Sequence, residues 1–291
     1  LNAVLRASGH PKQAMYATIA TVAINTILAP IFIFMFDWGI RGAAIATVSA
    51  QVIALLWQLK QFNNANELLH FRRGIFRLKR KIVFDSLAIG MSPFLMNLAA
   101  CLIVILINQG LKKYGGDLAI GAFGIVNRLV FIVVMIVMGL NQGMQPIAGY
   151  NFGAKLYDRV NKVLKLTIIY ATCVTTFGFL VGMLAPNLVV GIFTSDAELT
   201  ELSATGLRIT VMFFPIIGFQ MVTSNFFQSI GMAGKAIFLS LTRQMLILLP
   251  CLLILPHFFG VAGVWYSMPV SDLLASLIAL VMLVYQFRKF K

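Results

Sequence analysis

Catalysis needs clustered acids, histidines or a nucleophile beside a base, and this chain offers none at a diagnostic spacing. His10, His70 and His257 lie in connecting segments, and no DxxxD, HExxH, GxSxG or GxxxxGK motif occurs. The sequence therefore points away from an enzyme, a bound metal or an organic cofactor. Polar groups inside long apolar runs are the other kind of candidate, because they are costly there and tend to mark ligand or ion pathways. Arg128 and Asp272 stand about ten residues into their runs, roughly 15 Å deep at 1.5 Å per residue, and equal depth predicts an ion pair between them. Such a pair either neutralises two buried charges or handles substrate or ions. Asn97, Asn127, Gln142, Gln145, Gln220 and Asn225 are amides in or beside the same runs, suited to bonds between helices or to a ligand. Arg208 and Arg243 fall nearer the ends of theirs and are expected to snorkel outward.

The elements that must hold these groups are membrane helices. Of 291 residues, 60% are hydrophobic and 11% charged, too few charges to cover a water-soluble globule of this size. Apolar runs at 14–36, 42–62, 82–110, 118–144, 160–184, 202–227, 236–255 and 261–287 are each about long enough for a helix to cross 30 Å of hydrocarbon. The fold expected is an all-α polytopic membrane protein with these eight spans. Pro30, Pro93, Pro215, Pro250 and Pro269 fall inside them, where each removes a backbone donor and can kink its helix. Cys101, Cys173 and Cys251 lie in apolar spans without a CxxC spacing and read as small buried side chains.

The net charge of +14 suggests nucleic acid until its distribution is followed. Lys and Arg crowd alternate connections: Arg6 and Lys12, then Lys60 to Lys81, then Lys155 to Lys165, Lys235, and Arg288 to Lys291. The opposite connections carry Asp37, Asp117, Asp196, Glu198 and Glu201 with few basic residues. The positive-inside rule places the basic set and the C-terminus in the cytoplasm, which accounts for the charge without a nucleic-acid partner. Within 63–81, Leu68, Phe71, Ile75 and Leu78 recur at helical spacing among basic neighbours, predicting an amphipathic linker in the headgroup layer. The domains expected are 1–62, two helices closing a first lobe; 63–81, the linker; and 82–291, a complete six-helix lobe.

That division follows from a repeat. Residues 9–59 align with 231–280: a glycine-marked turn, an apolar helix, a Gly-x-x-Gly turn and a second apolar helix, with Gly9 matching Gly231, and Gly39 and Gly42 matching Gly260 and Gly263. Four more apolar segments precede the later copy, whereas the earlier one begins almost at Leu1, so the repeat implies about 140 further residues upstream. A chain lacking those helices is expected not to transport by itself.

The stretches LRASGHPKQAM, NTILAPIFIF and WGIRGAAIATVSAQ, with GLNQGMQPIAGYNFGAKLYDRVNKVLK, resemble the multidrug and toxic compound extrusion (MATE) transporters across the whole chain. The resemblance implies the last eight of twelve helices and two six-helix lobes rocking about a central cavity in a bacterial cytoplasmic membrane. It implies export of amphipathic, often cationic drugs, driven by inward protons or sodium, by a protein monomeric at full length and surrounded by lipid. Asn25 matches a family asparagine that usually precedes an acid by four residues, where this chain has Ala29 before Pro30; after Pro93 the family acid is likewise absent. The alternatives from the same superfamily and from outside it are a flippase for lipid-linked oligosaccharide and a non-transporting membrane scaffold.

Overall fold

The computed structural model describes residues 1–62 and 79–290. The amphipathic linker expected over 63–81 lies almost wholly outside them. Two compact units, Leu1–Arg80 and Lys81–Lys291, are built from helices alone among the described residues.

In the first unit, α1 (Asn2–Ala7) turns at Gly9 into α2 (Pro11–Pro30), which continues as a short π-helix over Ile31–Met35, and α3 (Gly39–Phe62) returns beside it. Ala17, Ala46 and Ala50 are fully buried. Lipid tails are as apolar as leucine, so small residues that let backbones approach closely hold membrane helices together. A side chain at Gly42 would put its Cβ 2.5 Å from the Phe32 carbonyl oxygen, so only glycine permits that approach.

The second unit opens with α4 (Arg80–Gly153), whose 74 residues hold a non-helical residue, Gly116, at φ 67° and ψ −163°, where two helices meet. A single straight helix of that length would span about 110 Å, far more than a bilayer. Next come α5 (Tyr157–Leu184), the short α6 (Pro186–Val190), α7 (Ala197–Val211) and α8 (Phe214–Ser229). The last two meet at a 55° bend, and Pro215 opens α8 at that bend. The chain then runs through α9 (Ala233–Leu241), a π-helical stretch Thr242–Leu248 and α10 (Leu249–Phe259) into α11 (Val261–Phe290). Among the described residues of both units, six helices are long and apolar enough to cross a membrane, or seven with the bent pair counted as one span. Proline explains the two π segments. Pro30 immediately precedes the first and Pro250 closely follows the second, and a missing N–H leaves a carbonyl that a widened turn can accommodate.

Phe226, Phe227, Leu164, Val137 and Met144 centre one apolar core of the second unit, and Leu111, Val126, Val264 and Trp265 another. The outside is equally apolar. Phe177, Leu184, Ile192 and Phe258 are each more than two thirds exposed, a surface stable against lipid and not against water. Cys101 and Cys173 belong to that surface and Cys251 is half-buried. The expectation of three buried thiols was therefore wrong, because an apolar neighbourhood in sequence does not distinguish a helix's lipid face from its packed face.

The repeat is present in the backbone. Gly9 and Gly231 both take a left-handed φ, 88° and 77°. In the first copy His10 N–H donates to Leu5 O and Ala14 N–H to His10 O; in the second Met232 N–H donates to Phe227 O and Ala236 N–H to Met232 O. Gly39 and Gly260 share φ near 55°, at 51° and 58°, and a Cβ at Gly263 would meet Leu255 O at 2.4 Å as one at Gly42 meets Phe32 O. The copies differ in where the π turn falls: late in the first, and early in the second, where it carries Arg243 and Gln244.

Candidate functional site

Along α8 the polar residues Gln220, Ser224 and Gln228 recur every fourth position, forming one stripe with Asn225 beside it on a mainly apolar helix. Asn141 and Gln145 stand four apart on the second arm of α4, and Asn97 one turn beyond Pro93 on the first. These stripes, with Ser240, Arg243 and Gln244, line one cavity of about 360 Å³ within the second unit. Its apolar wall includes Met96, Met138 and Met221, flexible thioethers that adapt to differently shaped bodies.

The hydrogen bonding leaves capacity for a guest. Gln145 Nε2 donates to Asn225 Oδ1 at 3.3 Å, Asn225 Nδ2 to Met221 O at 2.9 Å, and Asn97 Nδ2 to Pro93 O at 2.8 Å. Asn141 is only 2% exposed, yet both its amide atoms lack a protein partner, as do Ser224 Oγ and Gln244 Oε1. An unpaired buried polar atom costs about 1–3 kcal/mol, and four on one wall are what a binding site, rather than a packed core, would retain.

The charge in this cavity comes from Arg243. Its Nε donates to Asp272 Oδ1 at 2.7 Å, with the side chains 31% and 4% exposed. Ser276 Oγ donates to the Asp272 backbone carbonyl at 2.6 Å, tying the surrounding turn of α11 together. The pairing expected between Asp272 and Arg128 is therefore incorrect. Arg128 and Asn127 are exposed on α4 and line no part of the cavity. Depth along a helix fixes height but not direction, and each residue turns a side chain by about 100°. Arg243 does not snorkel to the surface as expected; the π turn aims it inward at Asp272.

Of the residues singled out in the sequence, Asn97, Gln145, Gln220 and Asn225 line the cavity together with Gln142, and Asp272 sits behind Arg243. Asn25 belongs to the other unit, where its Nδ2 donates to Thr47 Oγ1 at 3.0 Å and ties α2 to α3. Asn141, Ser224, Gln228 and Gln244 were not singled out in the sequence, although a four-residue spacing to Gln145 and to Gln220 was a usable signal for the first two. Among the described residues no group of three or more His, Cys, Asp or Glu side chains could hold a metal.

A chain whose described residues are all helix or connection, with an apolar outer surface and an amide-lined cavity in its second unit, is a multi-pass membrane protein. The MatE family model matches residues 88–253, and the chain belongs to that family. The multidrug export protein MepA of Staphylococcus aureus (strain MSSA476) is 29% identical over 287 residues, covering 97% of this chain and 62% of MepA. MepA of Staphylococcus haemolyticus (strain JCSC1435) matches at the same identity and coverage. The chain thus spans about 62% of the length of these curated relatives. Among solved structures, an outward-facing multidrug resistance MATE family transporter of the MOP superfamily matches with a TM-score of 0.91 at 23% identity, over 99% of this chain and 65% of that one.

Proposed function

We propose that this chain works in a secondary active exporter of amphipathic organic compounds, driven by protons or sodium moving inward. The observation that carries the reading is the cavity. About 360 Å³ suits a small organic molecule, whereas a lipid-linked oligosaccharide would need a far larger opening. Unpaired amides set beside adaptable methionines serve a transporter that must hold many shapes loosely. In this reading each arm of α4 is a separate span, giving the eight expected from the sequence, and the basic connections with the C-terminus lie in the cytoplasm. The two units belong to two lobes whose rocking exposes the cavity to one side and then the other.

The test is accumulation of two amphipathic fluorescent dyes, cationic ethidium and anionic pyrenebutyrate, by bacteria lacking their own exporters. Cells making the chain joined behind the preceding helices of MepA should hold less of at least one dye than vector controls, and collapsing the ion gradients should erase the difference. Accumulation equal to the control, with the protein present in the membrane, would refute the proposal.

A further inference from the structure

We infer that the charged group this cavity offers a ligand is the Arg243 guanidinium, so the ligand is an amphipathic anion: a carboxylate, sulfonate or phosphate ester on an apolar body. This deepens the export reading and rests on it for the direction of movement, and it departs from the cationic drugs that the family resemblance suggests.

The asymmetry of the ion pair carries the inference. Arg243 lines the cavity and Asp272 does not; the Arg243 side chain is 31% exposed and the Asp272 side chain behind it 4%. A guanidinium has five N–H donors and no acceptor. Nε is committed to Asp272, and the two terminal nitrogens have no other partner among the described residues. Arg243 is also the one charged side chain on the cavity wall among the described residues.

A ligand anion about 4 Å from the guanidinium and about 7 Å from the carboxylate gains more attraction than repulsion. A cation at the same place meets the guanidinium first and could reach Asp272 only by breaking the pair. Neighbouring groups suit the same choice. Asn141 Nδ2 and the Ser224 hydroxyl are buried, unpartnered and able to donate, which matches an acceptor-rich head, while Met96, Met138 and Met221 receive the apolar body.

The experiment compares two probes sharing one apolar body, pyrenebutyrate and pyrenebutyltrimethylammonium. Each is titrated by fluorescence into the 291-residue chain in phosphatidylcholine nanodiscs, with empty discs subtracted. The wild type should bind the carboxylate at least about tenfold more tightly than the ammonium. Arg243→Gln should weaken carboxylate binding roughly 10- to 100-fold, the range of one lost charge-assisted hydrogen bond. Because that change strands a buried carboxylate, the charge-neutral double variant Arg243→Gln/Asp272→Asn is the safer probe and should show the same loss. Asp272→Asn alone should tighten carboxylate binding several-fold by freeing the guanidinium.

Repeating the titration with phosphatidylglycerol in the discs separates two sources of anion: an undiminished signal assigns the site to a soluble ligand, and competition assigns it to a lipid headgroup. Tighter binding of the ammonium, or carboxylate binding unchanged in the double variant, would overturn the inference. Either result is independent of dye efflux, whose failure would count against the transport reading alone.

Discussion

Arg243→Gln and Asp272→Asn should have very different effects on stability even though they break the same pair. Removing Arg243 leaves a carboxylate that is 4% exposed without its 2.7 Å partner, and stranding one member of a buried pair costs about 3–5 kcal/mol. With the Arg243 side chain 31% exposed, the lower end of that range, about 3 kcal/mol, applies. Asp272→Asn removes the negative charge but leaves the guanidinium facing the cavity, where water can solvate it, and an amide oxygen can still accept from Nε. That change should cost about 1 kcal/mol. The double variant buries no stranded charge and should resemble Asp272→Asn, so the two effects fail to add by about 2–3 kcal/mol. Unfolding of the purified protein in mixed dodecyl maltoside and SDS micelles, followed by circular dichroism, reads all three. Equal costs for the two single changes, or strict additivity, would refute the view that Asp272 is buried behind Arg243.

The glycines of the repeat give a second prediction. Gly263→Ala and Gly42→Ala each place a Cβ about 2.5 Å from a backbone oxygen, at 2.4 and 2.5 Å, and should cost at least about 2 kcal/mol in the same unfolding assay. Gly124→Ala, within the α4 helix, meets nothing within 4 Å and should cost nothing or stabilise slightly; a Gly263→Ala cost no greater than that would be contrary to the packing described. Asn141→Leu should stabilise the protein by about 1 kcal/mol, because it removes two unpartnered amide atoms, and should lower dye efflux. Lost stability with unchanged efflux would mean that Asn141 is a structural residue.

Composition, run lengths and the glycine repeat made the fold legible before any coordinates, because each follows from local rules: hydrocarbon thickness sets helix length, and a left-handed turn selects glycine. The amides were legible as a set for the same reason, since polar groups stand out in an apolar helix. Which of them converge was not. Asn127 and Arg128 share an arm of α4 with Asn141 but are exposed and line no part of the cavity. The Arg243–Asp272 pair depends on two features that linear spacing lacks. One is the wide turn over Thr242–Leu248, which shifts the helical register; the other is the packing of that turn against α11. Pro250 was a hint of the first, as a residue that cannot complete a regular helical bond.

For the cavity to bind a solute, its amides must face water and not lipid. In a variant with Cys101, Cys173 and Cys251 replaced by Ala, single cysteines at Asn97 and Gln145 can be compared with one at Phe177, which is 68% exposed on the outer surface of α5. A thiol reacts as its thiolate, which forms in water and is suppressed in apolar surroundings. Labelling by a membrane-impermeant maleimide should be at least about tenfold faster at Asn97→Cys and Gln145→Cys than at Phe177→Cys. Equal, slow labelling at all three positions would contradict the cavity and the function built on it.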